Sequence, residues 1–194
     1  EGHRLYYAVT LDSHRRREHY QVDLAALMMP GVEGARPAAP VPRLLHVEHD
    51  EKGLLFAVEP QLSPDRRTLL FVLRHLGWDH LFALDLATGW MRQLTDGACE
   101  DTGHAHDLPR WSPDGRQILF ASNRSDLGHR HLWVVDAARG GLRQLTHEHG
   151  TAVQGVWSPD GEQIVCLFCG PRDAADLWLM GAGGEHPRRL TRSL

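Results

Sequence analysis

No run in this chain approaches the roughly eighteen consecutive apolar residues that a bilayer-spanning helix requires. Its opening residues, Glu1-Gly2-His3, are neither an initiator methionine nor a signal peptide, so the start is expected to be a processed, trimmed or excerpted end. Excess positive charge is also missing: 21 Lys plus Arg stand against 25 Asp plus Glu, a formal net charge of -4. Binding to a nucleic acid backbone, which rests on a cationic footprint, is therefore disfavoured. The acidic residues form no solvating tail. There is no Gly-x-Ser-x-Gly nucleophile elbow and no phosphate-binding glycine loop of the Walker or Rossmann kind.

Cysteine is scarce, with three in the chain. Cys99 is expected in a surface loop. Cys166 and Cys169 are three apart on one strand and so point to opposite faces, which suits small buried hydrophobes better than a shared metal. The compartment stays open on this evidence. At 194 residues the chain can bury a substantial core and form one domain.

What is present is repetition. The turn Ser112-Pro113-Asp114-Gly115 returns as Ser158-Pro159-Asp160-Gly161 and, with its glycine replaced, as Ser63-Pro64-Asp65-Arg66; the prolines stand 49 and 46 residues apart. A second marker recurs as Gln93-Leu94-Thr95, Gln144-Leu145-Thr146 and Arg189-Leu190-Thr191, at steps of 51 and 45. Between the markers lie short apolar strands such as Ile118 to Ser122 and Leu132 to Asp136. One unit of roughly 45 residues carrying four strands is the signature of a propeller blade. The fold class is therefore all-β: blades of four antiparallel strands in units of about 1–49, 50–97, 106–146 and 153–191, forming one propeller or part of one.

The turn composition has a backbone cause. Proline presets φ at the second position, aspartate bonds back to local amides, and glycine takes the positive φ that closes the hairpin. Arg66 in the glycine position should bring strain or a changed turn. Along the strands both faces are apolar, Ile118 and Phe120 one way and Leu119 and Ala121 the other, as expected for sheets packed between neighbours. Trp111 with Trp157, and Trp133 with Trp178, hold equivalent positions and read as wedges between twisted sheets. In the first unit a strand is expected at residues 5 to 10, a loop over the charged run Asp12 to His19, a strand beginning near His19, an irregular stretch from Met28 to Pro42 and a last strand from Arg43 to Val47. Leu54 to Val58 reads as the first strand of the second unit. The count gives three four-stranded units and one three-stranded unit, leaving open edges. A longer polypeptide, self-association through those edges, or weak closure of four blades would each resolve this.

The order Trp-Ser-Pro-Asp-Gly, apolar strand, His131-Leu132-Trp133-Val134-Val135-Asp136, then Arg143-Gln144-Leu145-Thr146 resembles the WD40-like, TolB-type (PD40) propeller repeat family. The resemblance covers residues 62 to 191 well and 5 to 49 poorly. It implies a binding or protein-interaction scaffold with a protein, peptide or saccharide at the top-face loops, and a periplasmic location if TolB-like, otherwise cytoplasmic. Such motifs specify fold and say little of function. The same repeat occurs in the propellers of prolyl-oligopeptidase-type peptidases, whose catalytic elbow this chain lacks, and of oligogalacturonate lyases.

Histidine is the compositional anomaly, at 14 residues. His104 with His106, His129 with His131, and His147 with His149 are i, i+2 pairs, which on an extended segment project both imidazoles to one side and suit a divalent Mn, Zn, Fe or Ni ion. The weaker resemblance to oligogalacturonate lyases implies such an ion near the propeller axis, held by histidines and a glutamine. The candidates are His104, His106, His147, His149 and Gln154, with Arg110 and Arg124 as electrostatic partners and no residue standing out as a base. A metal-dependent enzyme on acidic saccharides is thus the alternative reading. His131 shares its place with His80 and Asp176 at a strand start, where a structural hydrogen bond is expected. Asp65, Asp114 and Asp160 repeat for a structural reason and are poor candidates for paired-carboxylate catalysis.

Overall fold

The computed structural model describes residues 3–25, 40–49, 60–102 and 107–193, with the side chain of His14 set aside. The chain divides into two compact units, Glu1–Pro60 and Gln61–Leu194. Among the described residues all regular structure is antiparallel sheet apart from one short 3₁₀ turn and the single helical residue Ala25.

The first unit holds one sheet of three strands, β1 (Arg4–Leu11), β2 (Arg16–Asp23) and β3 (Arg43–His49), in that order. The expected loop over Asp12 to His19 shrinks to a tight turn, in which Arg15 N–H donates to the Asp12 carbonyl at 3.1 Å, and β2 begins at Arg16. Its charged residues belong to the strand because β3 satisfies them. Arg17 lies opposite Glu48 in the ladder and pairs with it at 3.2 Å, and His19 Nε2 meets the same carboxylate at 2.8 Å, all three side chains buried. A polar run can be a strand when its partners arrive from the neighbouring strand. The expected irregular stretch from Met28 onward lies outside the described residues as far as residue 39.

The second unit holds three four-stranded meanders. The second sheet comprises β4 (Gln61–Leu62), β5 (Thr68–His75), β6 (Trp78–Asp85) and β7 (Met91–Gln93). The third comprises β8 (Arg110–Trp111), β9 (Gln117–Ser122), β10 (His131–Asp136) and β11 (Leu142–Gln144). The fourth comprises β12 (Thr151–Trp157), β13 (Gln163–Cys169), β14 (Asp176–Gly181) and β15 (Arg188–Arg189). In each, chain neighbours are sheet neighbours. The strand expected at Leu54 to Val58 lies outside the described residues.

Both sequence markers have a hydrogen-bonding cause. In the turn after the first strand, Ser112 Oγ donates to Asp114 Oδ1 at 2.6 Å and accepts the Gln117 N–H at 2.9 Å, while Arg116 N–H reaches Asp114 Oδ1 at 3.0 Å. Ser63 with Asp65 and Ser158 with Asp160 repeat this arrangement at 2.6 and 2.5 Å. In the second marker, Leu94, Leu145 and Leu190 donate to the carbonyls of Leu81, Leu132 and Leu177 at 2.8, 2.8 and 2.7 Å. The following threonine hydroxyl then accepts the N–H of that same residue on the third strand, at 2.9 Å in all three sheets. Threonine is therefore the residue that finishes the outer ladder with its side chain.

Arg66 takes φ +60°, beside +71° at Gly115 and +77° at Gly161, and its N–H bonds Ser63 O at 2.9 Å as the glycines bond their serines. The turn is unchanged, and arginine carries the left-handed strain. At Gly115 an added Cβ would also stand 3.4 Å from the Pro64 ring. Gly115→Val is expected to destabilise the protein by about 1–3 kcal/mol, read as a lower urea midpoint; an unshifted midpoint would refute the positive-φ requirement.

Packing follows the two-sided pattern. Leu69 to Leu73 on β5 and Ile118 to Ala121 on β9 are all buried. Leu119, Ala121, Leu132 and Val134 of the third sheet pack with Ala152, Ile164, Cys166 and Met180 of the fourth in one core cluster, flanked by Trp157 and Trp178. Cys166, on that buried face, has its thiol pushed up to about 12 by burial. On β13 the buried residues are Ile164 and Cys166, with Val165 between them and Leu167 after them only partly buried. Fourth-strand arginines tie the second sheet to the third and the third to the fourth. Arg92 reaches the carbonyls of Ala137 and Ala138, and Arg143, 51 residues later, reaches Gly183 O at 2.8 Å. Trp111 donates its indole N–H to Gln61 O at 3.3 Å, whereas the buried Trp157 indole nitrogen makes no hydrogen bond among the described residues, so the equivalent tryptophans differ in this contact.

Candidate functional site

The antiparallel order sends the two kinds of turn to opposite ends of each sheet. Ser-Pro-Asp turns and third-to-fourth-strand turns occupy one end. The second-to-third-strand hairpins and the connections to the next sheet occupy the other. At the first end the chemistry is internal. The carboxyls of Asp65, Asp114 and Asp160 are held below the ordinary carboxylate value, first by the serine hydroxyl and then by a backbone N–H. Asp85 and Asp136 are lowered first by backbone N–H groups of their own turns.

At the other end, residues 75–78 make a two-residue hairpin. Leu76 and Gly77 take φ +52° and +90°, and Arg74 braces the turn through Gly77 O at 2.8 Å and Asp79 at 3.3 Å. Left-handed φ is unfavourable for leucine, and strain of this kind is retained where the surroundings impose it. The Leu76 side chain is 87% exposed at the tip. Beside it opens a cleft of about 460 Å³ lined by His75, Trp78, His80, Gln93, Asp96 and Ala98 among others.

Of the residues singled out from the sequence, His104 and His106 lie outside the described residues. Arg110 is an exposed residue of the short strand β8. Gln154 is exposed at a β-bulge between Val153 and Val156, with φ +54° and its N–H on Asp107 Oδ1 at 2.8 Å. His147 and His149 are exposed in the connection from β11 to β12. Arg124 is committed elsewhere: its guanidinium rests on Asp101 at 2.9 Å, an internal contact rather than the open electrostatic partner expected.

That contact belongs to a cluster that the sequence did not suggest. His80, Cys99 and Asp101 are buried with their ligand-type atoms within 4.8 Å of one another. Cys99 is thus not a surface residue: it is 3% exposed, folded under its own loop against Asp101. The groups already satisfy one another. Asp101 Oδ1 accepts from Ser122 Oγ at 2.7 Å and Oδ2 faces His80 Nδ1 at 2.8 Å, while Arg124 Nη2 lies 2.9 Å from both oxygens. His80 Nε2 faces Gly97 O at 3.1 Å. Burial pushes the Asp101 carboxyl up, but hydrogen bonds from His80, Thr95 and Ser122 and the Arg124 charge outweigh it, leaving the carboxyl below its ordinary value. Burial, helped by the Asp101 charge, pushes the Cys99 thiol up, away from the thiolate a metal would need. A guanidinium seated where a cation would bind makes this an internal staple joining the second sheet to the third.

Position by position the next join differs. Asp101 N–H bonds Asp79 O at 2.9 Å and, 51 residues on, Ala152 N–H bonds Arg130 O at 2.8 Å, so the place of Asp101 is taken by a fully buried alanine. His131 keeps the place of His80, but among the described residues its ring meets Thr146 Oγ1 alone, at 3.5 Å. In the fourth sheet Asp176 accepts from Thr191 Oγ1 at 2.8 Å and pairs with Arg189. The strand-start residues are thus structural, as expected.

Repeated four-stranded meanders, tied sheet to sheet through equivalent side chains, define a β-propeller repeat protein. The chain belongs to the PD40 family, the TolB beta propeller domain, which matches residues 47–194. It is 41% identical over 83 residues to the Tol-Pal system protein TolB of Anaeromyxobacter dehalogenans (strain 2CP-1 / ATCC BAA-258), a match covering 43% of this chain and 18% of that protein. The TolB of Anaeromyxobacter sp. (strain K) matches to the same extent. The matched segment is thus less than a fifth of the length of these relatives. In fold it is similar to TolB from Acinetobacter baumannii, with a TM-score of 0.65 at 20% identity over 98% of this chain and 41% of that one. Porphyromonas gingivalis dipeptidyl peptidase 4 gives 0.74 at 16% identity, over 97% of this chain and 24% of that one. No helix among the described residues is long and apolar enough to cross a membrane.

Proposed function

We propose that this chain is a non-catalytic, TolB-like propeller scaffold that docks a protein partner on the hairpin end of its sheets, in a periplasmic Tol-Pal type of assembly. The observation that carries this reading is the tip at Leu76. A large apolar side chain is held in solvent, in a backbone conformation that leucine disfavours, above a cleft with Trp78 on its wall. The tryptophan is of the type enriched at interaction hot spots, and the exposed leucine beside it adds apolar contact area. Nothing in the relatives favours the metal-dependent saccharide enzyme, a saccharide ligand or self-association through open edges, and Arg124, one of its two cationic candidates, is occupied by Asp101.

The test is calorimetric titration of the chain with the Pal partner of its own Tol-Pal system. Binding is expected, and Leu76→Asp should weaken it by about tenfold or more without lowering the urea midpoint, since aspartate tolerates the left-handed φ better than leucine does. Absence of binding, or binding indifferent to Leu76→Asp, would overturn the proposal.

A further inference from the structure

We propose that His129 and His149 form a two-imidazole chelate for a divalent transition-metal ion such as zinc, on the hairpin end of the third sheet and open toward solvent. The two residues are twenty apart and come from different loops, the hairpin between β9 and β10 and the connection from β11 to β12. Their rings meet with centroids 4.8 Å apart and planes at 67°. With metal–nitrogen bonds of about 2.0–2.1 Å a ring centroid stands about 3.2 Å from the ion, so centroids 4.8 Å apart subtend about 100° there, near the tetrahedral angle. Imidazole is a preferred donor for zinc, copper and nickel.

Availability separates this pair from the buried trio in the second sheet. There a carboxylate, a guanidinium and a carbonyl already occupy the histidine's surroundings. In the third sheet the carboxylate's place is Ala152, and neither the His129 ring nor the His149 ring makes a hydrogen bond among the described residues. His149 is exposed and His129 half-buried, so small ring rotations that turn a nitrogen of each toward a shared ion displace no core contact. The surrounding field favours a cation. The carboxylates of Asp126, in the hairpin that carries His129, and of Glu148, next to His149, both act on the His131 imidazole between the two loops. Two carboxylates thus share the neighbourhood of the imidazoles, with His147 and His131 nearby. Two protein ligands leave coordination positions for water or for a donor from another molecule, which would make this a conditional contact point.

The experiment is titration of untagged, EDTA-stripped protein with zinc chloride near pH 7.5. One ion per chain is expected to bind at this site. His129→Gln and His149→Gln should each weaken it by about tenfold or more, while Cys99→Ala and the double variant His104→Gln/His106→Gln should retain it. In wild-type protein the ring-proton resonances of His129 and His149 should shift together on addition of zinc, a reading independent of any variant's folding. No binding, binding that survives both single substitutions, binding lost only in the Cys99 or His104/His106 variants, or shifts confined to other histidines would overturn the assignment.

Discussion

Asp101→Ala is expected to lower stability by about 3–5 kcal/mol, the cost of breaking a buried ion pair from one side. The side chain is fully buried and accepts from Ser122 and Arg124 while facing His80. Removing it leaves a His80 ring nitrogen without its partner and the Arg124 guanidinium with the Asp96 carbonyl at 3.2 Å in place of a carboxylate, and unpaired buried polar groups cost more than the bonds themselves contributed. The reading is the urea midpoint at constant slope. A loss below about 1 kcal/mol would show that the carboxylate is not what joins the second and third sheets.

The same group gives the loss a pH signature. Its folded pKa lies below the ordinary 3.8, so its contribution is complete above that value and disappears as pH falls through the lower folded one. The gap between wild type and Asp101→Ala should therefore be constant at neutral pH and narrow in acid below about pH 4. A gap that widens on acidification would contradict the assignment.

Gly155→Val should cost about 2–3 kcal/mol by overpacking. A Cβ at this position would stand 2.8 Å from Leu119 Cδ2 and 3.2 Å from Leu132 Cδ1, both in the core of the third sheet. Glycine here lets the backbone of β12 lie directly on β9 and β10, and the adjacent bulge at Gln154 offsets the strand register at that contact. Leu119 and Leu132 are buried to within 1%, so neither can move aside into solvent. Denaturation in urea measures the effect. Compensation by Leu119→Ala in the double variant, which vacates the contested space, would confirm its steric origin. A single variant as stable as wild type would show that the sheets are not in register as described.

The repeat was legible in the sequence because its cause is local. Serine and aspartate two apart, and a threonine closing each ladder, do the same hydrogen bonding in all three sheets, so spacing alone revealed them. The long-range partners were not. His80, Asp101 and Arg124 follow one another at steps of 21 and 23 residues in three different segments, and no periodicity connects them. Arg17 reads as loop because its partner Glu48 comes from another strand. The i, i+2 histidine rule assumes extended backbone, but residues 148–150 bend, so the neighbour brought to His149 is His129 from another loop, not His147 from its own. The loop that carries Cys99 has no apolar pattern to mark it as core, yet it folds the thiol inward.

The two joins of the second unit also respond to temperature in opposite ways. The join of the third sheet to the fourth is closed by Ala152, Leu119, Leu132 and Ile164, whose hydrophobic attraction fades on cooling. Asp101 and Arg124 span the earlier join, and the desolvation penalty of such a pair falls on warming. Chilled protein should thus fray first at its C-terminal sheet, while heat spares the ionic join longest.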